Sequence, residues 1–498
     1  AYPPSHCGLK AFITTRVGDV FMLAGMLLLA VTAGTLSFTE LPRVEVRHVH
    51  PILLSSLLLI YVGAIGKSAQ LPLMEWLPDA MAGPTSVSAL IHAATMVKAG
   101  VYLTARLVLV SLAWSEHMDV TPFFEYVMWT GVLTAFISAL QAMVSTELKR
   151  TLAYSTVSQL GYMMAALGAA SANPQLSIAS AVFHMISHAV FKASLFLSAG
   201  AVIHAVESRF YRHFGGLGRY MRITMVAMVL ASMSLAGVPP FSGFWSKDLV
   251  LSSLMGASSA AFILALLTAS LTAFYTTRML GLTFLGEESE NVKEKRHELH
   301  EADLTMLAPY LILAIASLLL GLAAPSVEHF FIHMMHVHGV EEHEGGSVLI
   351  PLLSIVALVA GAAPASLMYV KRSISPPRGG VAEVIRGLLV RRLYINALYY
   401  RVFVNSTLKF GHSTWVLDKL LDKIYSVYLV RLVMRLGRLA REAESGIDAT
   451  IYRVSSAAMG LAEAVRKMNT GVLNYNIVMW LLGGLLVILL AMLSSLGW

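Results

Sequence analysis

Long runs of apolar residues alternate with short polar segments along most of the chain. A helix needs about 20 mostly apolar residues to cross the hydrocarbon core of a bilayer, so the pattern predicts about eleven membrane-spanning helices. They lie near 12–34, 50–66, 87–112, 126–145, 149–170, 176–203, 223–256, 259–285, 304–325, 347–370 and 474–496. Prolines interrupt the second and the seventh of these spans.

The pattern changes for about a hundred residues after the tenth span. Leu, Val, Ile and Tyr recur every three or four residues among many Arg, Lys and Asp, which is typical of an amphipathic helix lying along a surface. A single helix over 383–468 would be on the order of 130 Å long. Breaks at the glycines would instead give two or three pieces, and the candidates are Gly411, Gly437, Gly446 and Gly460.

The fold class predicted from these patterns is all-α. It is a polytopic transmembrane bundle with two discontinuous helices, followed by a long C-terminal amphipathic helix and one last span. Composition agrees, because 57% of the 498 residues are hydrophobic, 13% are charged and the mean hydropathy is +0.69. Soluble domains are about half apolar and a quarter charged.

The single cysteine, Cys7, excludes an iron–sulfur cluster and an internal disulfide, which need several cysteines. Dinucleotide-binding, phosphate-loop, zinc-protease and nucleophile-elbow motifs are also missing from the sequence. We therefore expect no cofactor on this chain and no redox chemistry.

Lys and Arg in short loops predict the orientation of the chain. One side of the membrane receives most of them, including Lys10, Arg16, the Lys149–Arg150 pair and the basic residues of 209–222 and 293–296, whereas the other receives Arg43, Arg47 and little else. The first side is predicted to be cytoplasmic and the C-terminal Trp498 to lie outside a cell membrane. The net charge of +7 comes mostly from these loops and the tail, so no nucleic-acid partner is implied.

Both interrupted spans carry a lysine. Lys67 precedes Pro72, and Lys247 with Asp248 follows Pro239 and Pro240. Open backbone at membrane depth persists only where protein or water satisfies it, which favours a hydrated cavity beside Lys67 over a snorkelling lysine. Paired broken helices are typical of transporters built from repeats.

His184, His188 and Lys192 are spaced by four and share one helix face. A structural row or a metal site is an alternative, although no third metal ligand is evident. Histidine and buried lysine can both titrate near neutral pH, so the row can relay protons.

Three further candidates are less specific. His92 is followed by Lys98, Asp19 lies near the start of the first span, and Lys149 begins a span. Asp19 could interact with the membrane interface or with a lysine inside, and Lys149 could snorkel or be functional.

Four segments carry a resemblance to a known family: "GKSAQLPLMEWLPDAMAGPTSVSALIHAATMVKAGVYL", "ELKRTLAYSTVSQLGYM", "FHMISHAVFKASLFLSAG" and "GVPPFSGFWSKD". They closely resemble the antiporter-like membrane subunits of complex I, the proton-pumping NADH-quinone oxidoreductase. The long amphipathic segment and last span look like the lateral helix and anchor of the subunit L or chain 5 type.

The resemblance implies two inverted five-helix repeats, each with a broken helix. The implied proton path contains Lys67, His92, His184, His188, Lys192, Lys247, Asp248 and Asp19. The implied organisation is the remainder of a first repeat at 1–112, a second repeat at 123–285, peripheral helices at 286–373, the lateral helix at 374–473 and the anchor at 474–498.

One departure follows from that resemblance. The family has about five spans before the one that holds Asp19, and the last of them supplies a glutamate that pairs with the lysine equivalent to Lys67. We therefore expect a truncated chain or a first half-channel that a separate polypeptide completes, and a Lys67 without that glutamate partner.

The predicted function is proton translocation coupled to electron transfer to quinone in other subunits. Expected partners are those membrane subunits, contacted through the lateral helix on the cytoplasmic side, the lipid bilayer, and protons or Na⁺. Alternatives are a subunit of a Na⁺/H⁺ antiporter, of a membrane-bound hydrogenase or of a ferredoxin- or F420H2-linked dehydrogenase complex, and a non-transporting scaffold. The histidine-rich segment 329–344 is predicted to be a solvated loop.

Overall fold

The structure, a computed structural model, describes residues 3–44, 50–334, 348–375, 379–468 and 471–495. Most of the segment 329–344 lies outside the described residues. The first eight helices are α1 (Pro4–Ala33), α2 (His50–Lys67), α3 (Trp76–Asp79), α4 (Thr85–Ala93), α5 (Met96–Trp114), α6 (Thr121–Val144), α7 (Leu148–Gly168) and α8 (Pro174–Val206).

The helices continue as α9 (Arg222–Ala236), α10 (Ser242–Ala257), α11 (Ser259–Phe284), α12 (Glu290–Glu294), α13 (Leu304–Leu322), α14 (Ala324–Met334) and α15 (Leu349–Ala365). After these come α16 (Gly380–Val390), α17 (Ile395–Tyr399), α18 (Asn405–Lys423), α19 (Val430–Met468) and α20 (Leu473–Ser495). The part of the chain that the structure describes contains no β-strand. The predicted all-α membrane bundle is confirmed.

Among the described residues, eight helical segments are long and apolar enough to cross a membrane if α4 and α5 are counted together, and two shorter apolar helices occupy 51–67 and 222–236. The predicted span at 149–170 coincides with α7, which is not among them. Of its residues, all but Arg150 are buried, so protein shields the many polar side chains of α7 from lipid. All the predicted spans are thus helical, but α7 lies inside the bundle and is surrounded by protein instead of lipid.

Both predicted interruptions are present. The chain unwinds after Lys67 until α3, and between Ala236 and Ser242. A third interruption separates α4 from α5, where Thr95 has φ −116° and ψ −106°. The hydrophobic pattern predicts one continuous span here, because no proline or glycine marks the break.

Glycines allow the closest helix contacts. A Cβ on Gly25 of α1 would lie 2.8 Å from the Ser56 carbonyl oxygen of α2, and one on Gly131 of α6 would lie 2.4 Å from the Ala165 nitrogen of α7. Small residues let membrane helices approach this closely. The two contacts fix α1 beside α2 and α6 beside α7, and thereby the helices that carry the candidate residues.

The chain divides into two compact units, Ala1–Asn396 and Ala397–Trp498. Within the second unit the backbone stays helical from 397 to 468, with π-helical turns at Tyr400–Val404 and Ile424–Leu429. The helix passes through all four glycines considered as breaks. In the first unit, the amphipathic segment is interrupted at Arg392–Tyr394, where three consecutive residues have positive φ.

Candidate functional site

The first broken helix places Lys67 beside Asp19. Lys67 Nζ lies 3.0 Å from Asp19 Oδ1, and Arg16 Nε lies 3.3 Å from Asp19 Oδ2. The Lys67 side chain is 28% exposed to solvent and the Asp19 side chain is 16% exposed. Lys67 therefore has a carboxylate partner other than the glutamate that the resemblance implies, because the close contact of α1 with α2 brings Asp19 to it.

The predicted row on α8 is fully buried, and its members have different partners. His184 Nδ1 is 2.9 Å from Ser246 Oγ, and its Nε2 is 3.1 Å from Gln159 Oε1. The His188 ring centroid lies 6.4 Å from that of His184. Neither nitrogen of His188 has a hydrogen-bond partner among the described residues.

Lys192 completes this row. Its Nζ donates to Ser155 Oγ at 2.5 Å and to the Leu152 carbonyl at 3.3 Å, both on α7. Because these acceptors are neutral, the lysine is held by dipoles and not by an ion pair.

His92 and Lys98 approach α8 from either side of the third interruption. The His92 ring stacks on Phe196 with 4.6 Å between centroids, and in the described part of the chain its two nitrogens find no hydrogen-bond partner. Lys98 Nζ donates to the Met185 carbonyl at 2.5 Å. Lys98, which the sequence analysis treated only as support for His92, is thus anchored on the helix that carries the row.

The second broken helix does not repeat the first. Lys247 is buried, and its Nζ donates to the Leu235 carbonyl, which the unwound segment frees. Asp248 instead accepts a hydrogen bond from Ser354 Oγ of α15 at 3.1 Å. Neighbours in a helix point in different directions, so Lys247 and Asp248 are not a pair.

Lys149 and the two acids that follow the first break, Glu75 and Asp79, are buried. Lys149 Nζ donates to the Gly83 carbonyl at 2.6 Å and does not snorkel. Glu75 is 0% exposed and Asp79 is 6% exposed. Both acids lie in the segment between the spanning helices.

Neutral polar side chains connect this arrangement. Ser155, Gln159 and Ser246 each bond a member of the row, and the sequence analysis missed all three. Their signal was a polar residue within an apolar span, which many structural serines share. Within the described ranges, no group of three or more His, Cys, Asp or Glu side chains is placed to hold a metal ion.

Residues 4–272 match the family described as NADH:quinone oxidoreductase/Mrp antiporter, TM. The chain is 37% identical over 451 residues to NAD(P)H-quinone oxidoreductase chain 5 of Picosynechococcus sp., covering 82% of this chain and 66% of that one. It is 34% identical over 508 residues to NADH-quinone oxidoreductase subunit L of Neisseria meningitidis serogroup B, covering 91% and 73%.

A solved structure is also similar. The Mrp complex from Dietzia sp. contains a chain that matches with a TM-score of 0.63 and 29% identity, covering 86% of this chain and 47% of that one. The chain spans slightly less than two thirds of the length of the first curated relative. On the match of sequence and fold, the chain belongs to the NADH:quinone oxidoreductase/Mrp antiporter transmembrane family.

Proposed function

We propose that this chain translocates protons across the membrane as the antiporter-like subunit of a complex I-type oxidoreductase. Electron transfer to quinone takes place in other subunits and drives the transport. Two relatives are named as subunits of quinone oxidoreductases, which supports the assignment. The chain itself supplies a translocase function and no redox group.

The observation that carries the proposal is the buried succession of basic groups across the bundle. Lys98 and the row on α8 lie between the two broken helices, and their described contacts are with neutral groups. Ionisable groups within membrane spans mark ion paths because burying them is costly. Protons are proposed to pass from the Asp19–Lys67 pair through the residues His92, His184, His188 and Lys192 to Lys247.

Water is expected to complete this path. His92 and His188 are 0% exposed, and none of their four ring nitrogens has a partner within the described residues. Buried polar groups are almost always hydrogen-bonded to protein or to ordered water. Each imidazole can accept a proton on one nitrogen and release one from the other.

The energy required is modest. Moving one charge against 100 mV takes about 2.3 kcal/mol. Two charges 4 Å apart interact by about 4 kcal/mol at an effective dielectric constant near 20. A change in distance between neighbouring cations is therefore sufficient to drive a proton off one lysine and onto the next acceptor.

Membrane placement and partners complete the proposal. The family and the apolar helices assign the chain to a membrane. The distribution of Lys and Arg supports a cytoplasmic lateral segment and a C-terminus outside. The amphipathic segment 374–473 is proposed to contact neighbouring membrane subunits.

Replacement of Lys247 tests the proposal. In the whole complex reconstituted into vesicles, Lys247→Ala is expected to lower the number of protons moved per electron while assembly is kept. Among the described contacts, the buried amine donates a hydrogen bond to the Leu235 carbonyl, so its loss removes a proton carrier together with that bond. The measurement is a pH-dye signal normalised to quinone reduction.

Lys293→Ala is the matched control, because Lys293 is exposed and its ion pair in the described part of the chain is with Glu290, one helical turn away. It is expected to leave the stoichiometry unchanged. An unaltered stoichiometry in Lys247→Ala would contradict a role for Lys247, and unaltered transport in variants of Lys192 and Lys67 as well would favour the scaffold alternative.

A second candidate is a subunit of a cation/proton antiporter. The structural match to a chain of an Mrp complex favours it. Transport that depends on Na⁺ and proceeds without quinone reduction would support this assignment. Transport that is independent of Na⁺ and stops with the electron flow supports the oxidoreductase.

A further inference from the structure

Four charged side chains meet beyond the first broken helix, on the side predicted to be cytoplasmic. Arg392 donates through Nη2 to Asp79 Oδ1 at 2.7 Å and through Nη1 to Asp79 Oδ2 at 3.0 Å and to Glu75 Oε2 at 2.9 Å. Lys10 of α1 donates to Asp79 Oδ2 at 2.7 Å. The four residues form a charge cluster in which two acids share two bases.

The two acids of this cluster have unequal environments. Asp79 receives three charge-assisted hydrogen bonds, whereas Glu75 receives one from Arg392 and a long one of 3.5 Å from Asn396. Glu75 Oε1 is buried and finds no hydrogen-bond partner in the described part of the chain. Where two neighbouring acids differ in this way, one stays ionised and the other carries the proton.

The pKa directions agree with that division. Burial raises the pKa of Glu75 above its ordinary range, and the nearby Arg392 and Lys10 do not offset it. Burial also acts to raise the pKa of Asp79, but the bonds from Arg392 and Lys10 outweigh it and the pKa is lowered. Glu75 therefore holds a proton up to a higher pH than an ordinary glutamate, while Asp79 remains a fixed anion.

The cluster partners of Glu75 line a cavity, and a tyrosine of α7 interacts with Glu75 itself. The cavity has a volume of about 350 Å³ and is lined by Asp79 and Arg392 of the cluster, and by Arg150 and Glu147. The Tyr154 hydroxyl of α7 is buried, has no hydrogen-bond partner within the described residues and interacts electrostatically with Glu75.

The backbone that presents Arg392 is unusual. Arg392, Leu393 and Tyr394 have φ of 55°, 51° and 56°, a left-handed conformation that is unfavourable for any residue with a side chain. Such strain persists where surrounding contacts over-determine it and clusters at functional sites. Here the contacts are the three hydrogen bonds of Arg392 to the two acids.

We propose that Glu75 is a proton-loading carboxyl, which takes up a proton from the cytoplasmic cavity and releases it towards Tyr154 and the row on α8. This inference rests on the proposed function. In the first step a carboxylate oxygen of Glu75 binds a proton that enters from the cavity past Asp79 and Arg392, which line it. In the second step that proton leaves towards the buried Tyr154 hydroxyl of α7, and the carboxylate is restored.

The charged and titratable groups that face Glu75 come from every element packed around it. They are Lys10 on α1, Asp79 on α3, Tyr154 on α7 and Arg392 after α16. Among them Arg392 is the cation that bonds Glu75 directly, so its position sets how readily Glu75 is protonated.

Infrared difference spectroscopy of the whole complex, titrated in pH, tests this step without relying on transport. The carbonyl stretch of a protonated carboxylic acid is expected to rise as the pH falls, and Glu75→Gln should remove one such band. Asp79→Asn is the matched control. This variant should keep a carboxylic acid band, because Glu75 remains. The midpoint of its pH titration should move to lower pH, because Arg392 is then freed to bond Glu75. Identical bands in wild type and Glu75→Gln would overturn the proposal.

Arg392→Lys tests the proposal if the complex with Glu75→Gln does not assemble. A single ammonium cannot bond both acids as the guanidinium does, so the midpoint of the carboxyl titration should move to higher pH. An unmoved midpoint would overturn the proposal.

Proton transport provides an independent measurement. Glu75→Gln should slow proton uptake at least fivefold and abolish its dependence on pH. If Glu75→Gln transports protons at the normal rate while Lys247→Ala is inactive, only the role of Glu75 is refuted. If both variants transport at the normal rate, the proposed function is refuted as well.

Discussion

Both broken helices carry a lysine beside a proline-containing break, but the two lysines have different electrostatic environments. At the first, Lys67 is partly exposed and forms an ion pair with Asp19. At the second, Lys247 is buried, and its described hydrogen bond is to the Leu235 carbonyl. The nearest acid in sequence, Asp248, points to Ser354.

The contrast shows that a lysine beside a break does not by itself define a charge state. A carboxylate within about 3 Å favours the protonated amine, whereas burial among neutral dipoles favours its neutral form. We therefore expect the two sites to respond differently to substitution.

Backbone packing at the two breaks gives the largest expected difference. A Cβ on Gly243 would lie 1.8 Å from the Ser234 carbonyl oxygen, whereas one on Gly66 would lie 3.3 Å from its nearest neighbour, the Gly18 Cα. Gly243→Ala is expected to destabilise the fold by about 3 kcal/mol, since overpacking against backbone cannot relax through a rotamer. Gly66→Ala should cost no more than about 1 kcal/mol, because helix propensity offsets part of the crowding.

Thermal unfolding of the detergent-solubilised complex, followed through this subunit, measures both variants. Equal loss of stability in the two would mean that α9 and α10 do not pack at the second break as closely as described.

The ion pair at the first break gives an intermediate effect. Lys67→Met and Asp19→Asn are each expected to impair transport, and their stability effects should be non-additive, with a coupling of about 1–2 kcal/mol in a double-mutant cycle. This coupling energy lies between those typical of exposed and of buried ion pairs, because both side chains are partly exposed.

The double variant should recover stability and not transport, which separates the two roles of the pair. Fully additive stability effects would show that Lys67 and Asp19 do not interact. The pair Lys293 and Glu290, which is exposed at 57% and 87%, is the control cycle and should give a coupling near zero.

Asp248→Asn gives the smallest expected effect. Asparagine keeps an oxygen to accept the hydrogen bond from Ser354, and Lys247 does not bond Asp248. We expect less than about a twofold change in proton transport. A loss as large as that of Lys247→Ala would instead establish Asp248 as a proton carrier at this break and remove the distinction between the two sites.

Sequence reasoning identified the residues of the site more readily than their partners. The spacing of His184, His188 and Lys192 required one helix face, and the prolines required two breaks. The break between α4 and α5 carries no such signal. Nor do the bonds of Ser155, Gln159 and Ser246, because contact between helices depends on their relative rotation.

The sequence by itself determined what residues do locally: apolar runs require lipid or a core, prolines interrupt helices, and periodic basic residues line a face. Only the tertiary structure decided which charges meet. Asp19 reaches Lys67 across 48 positions and Arg392 reaches Glu75 across 317. The energy of a charge inside a membrane protein depends on the few ångströms to its counter-charge, and that distance is a property of the packed bundle.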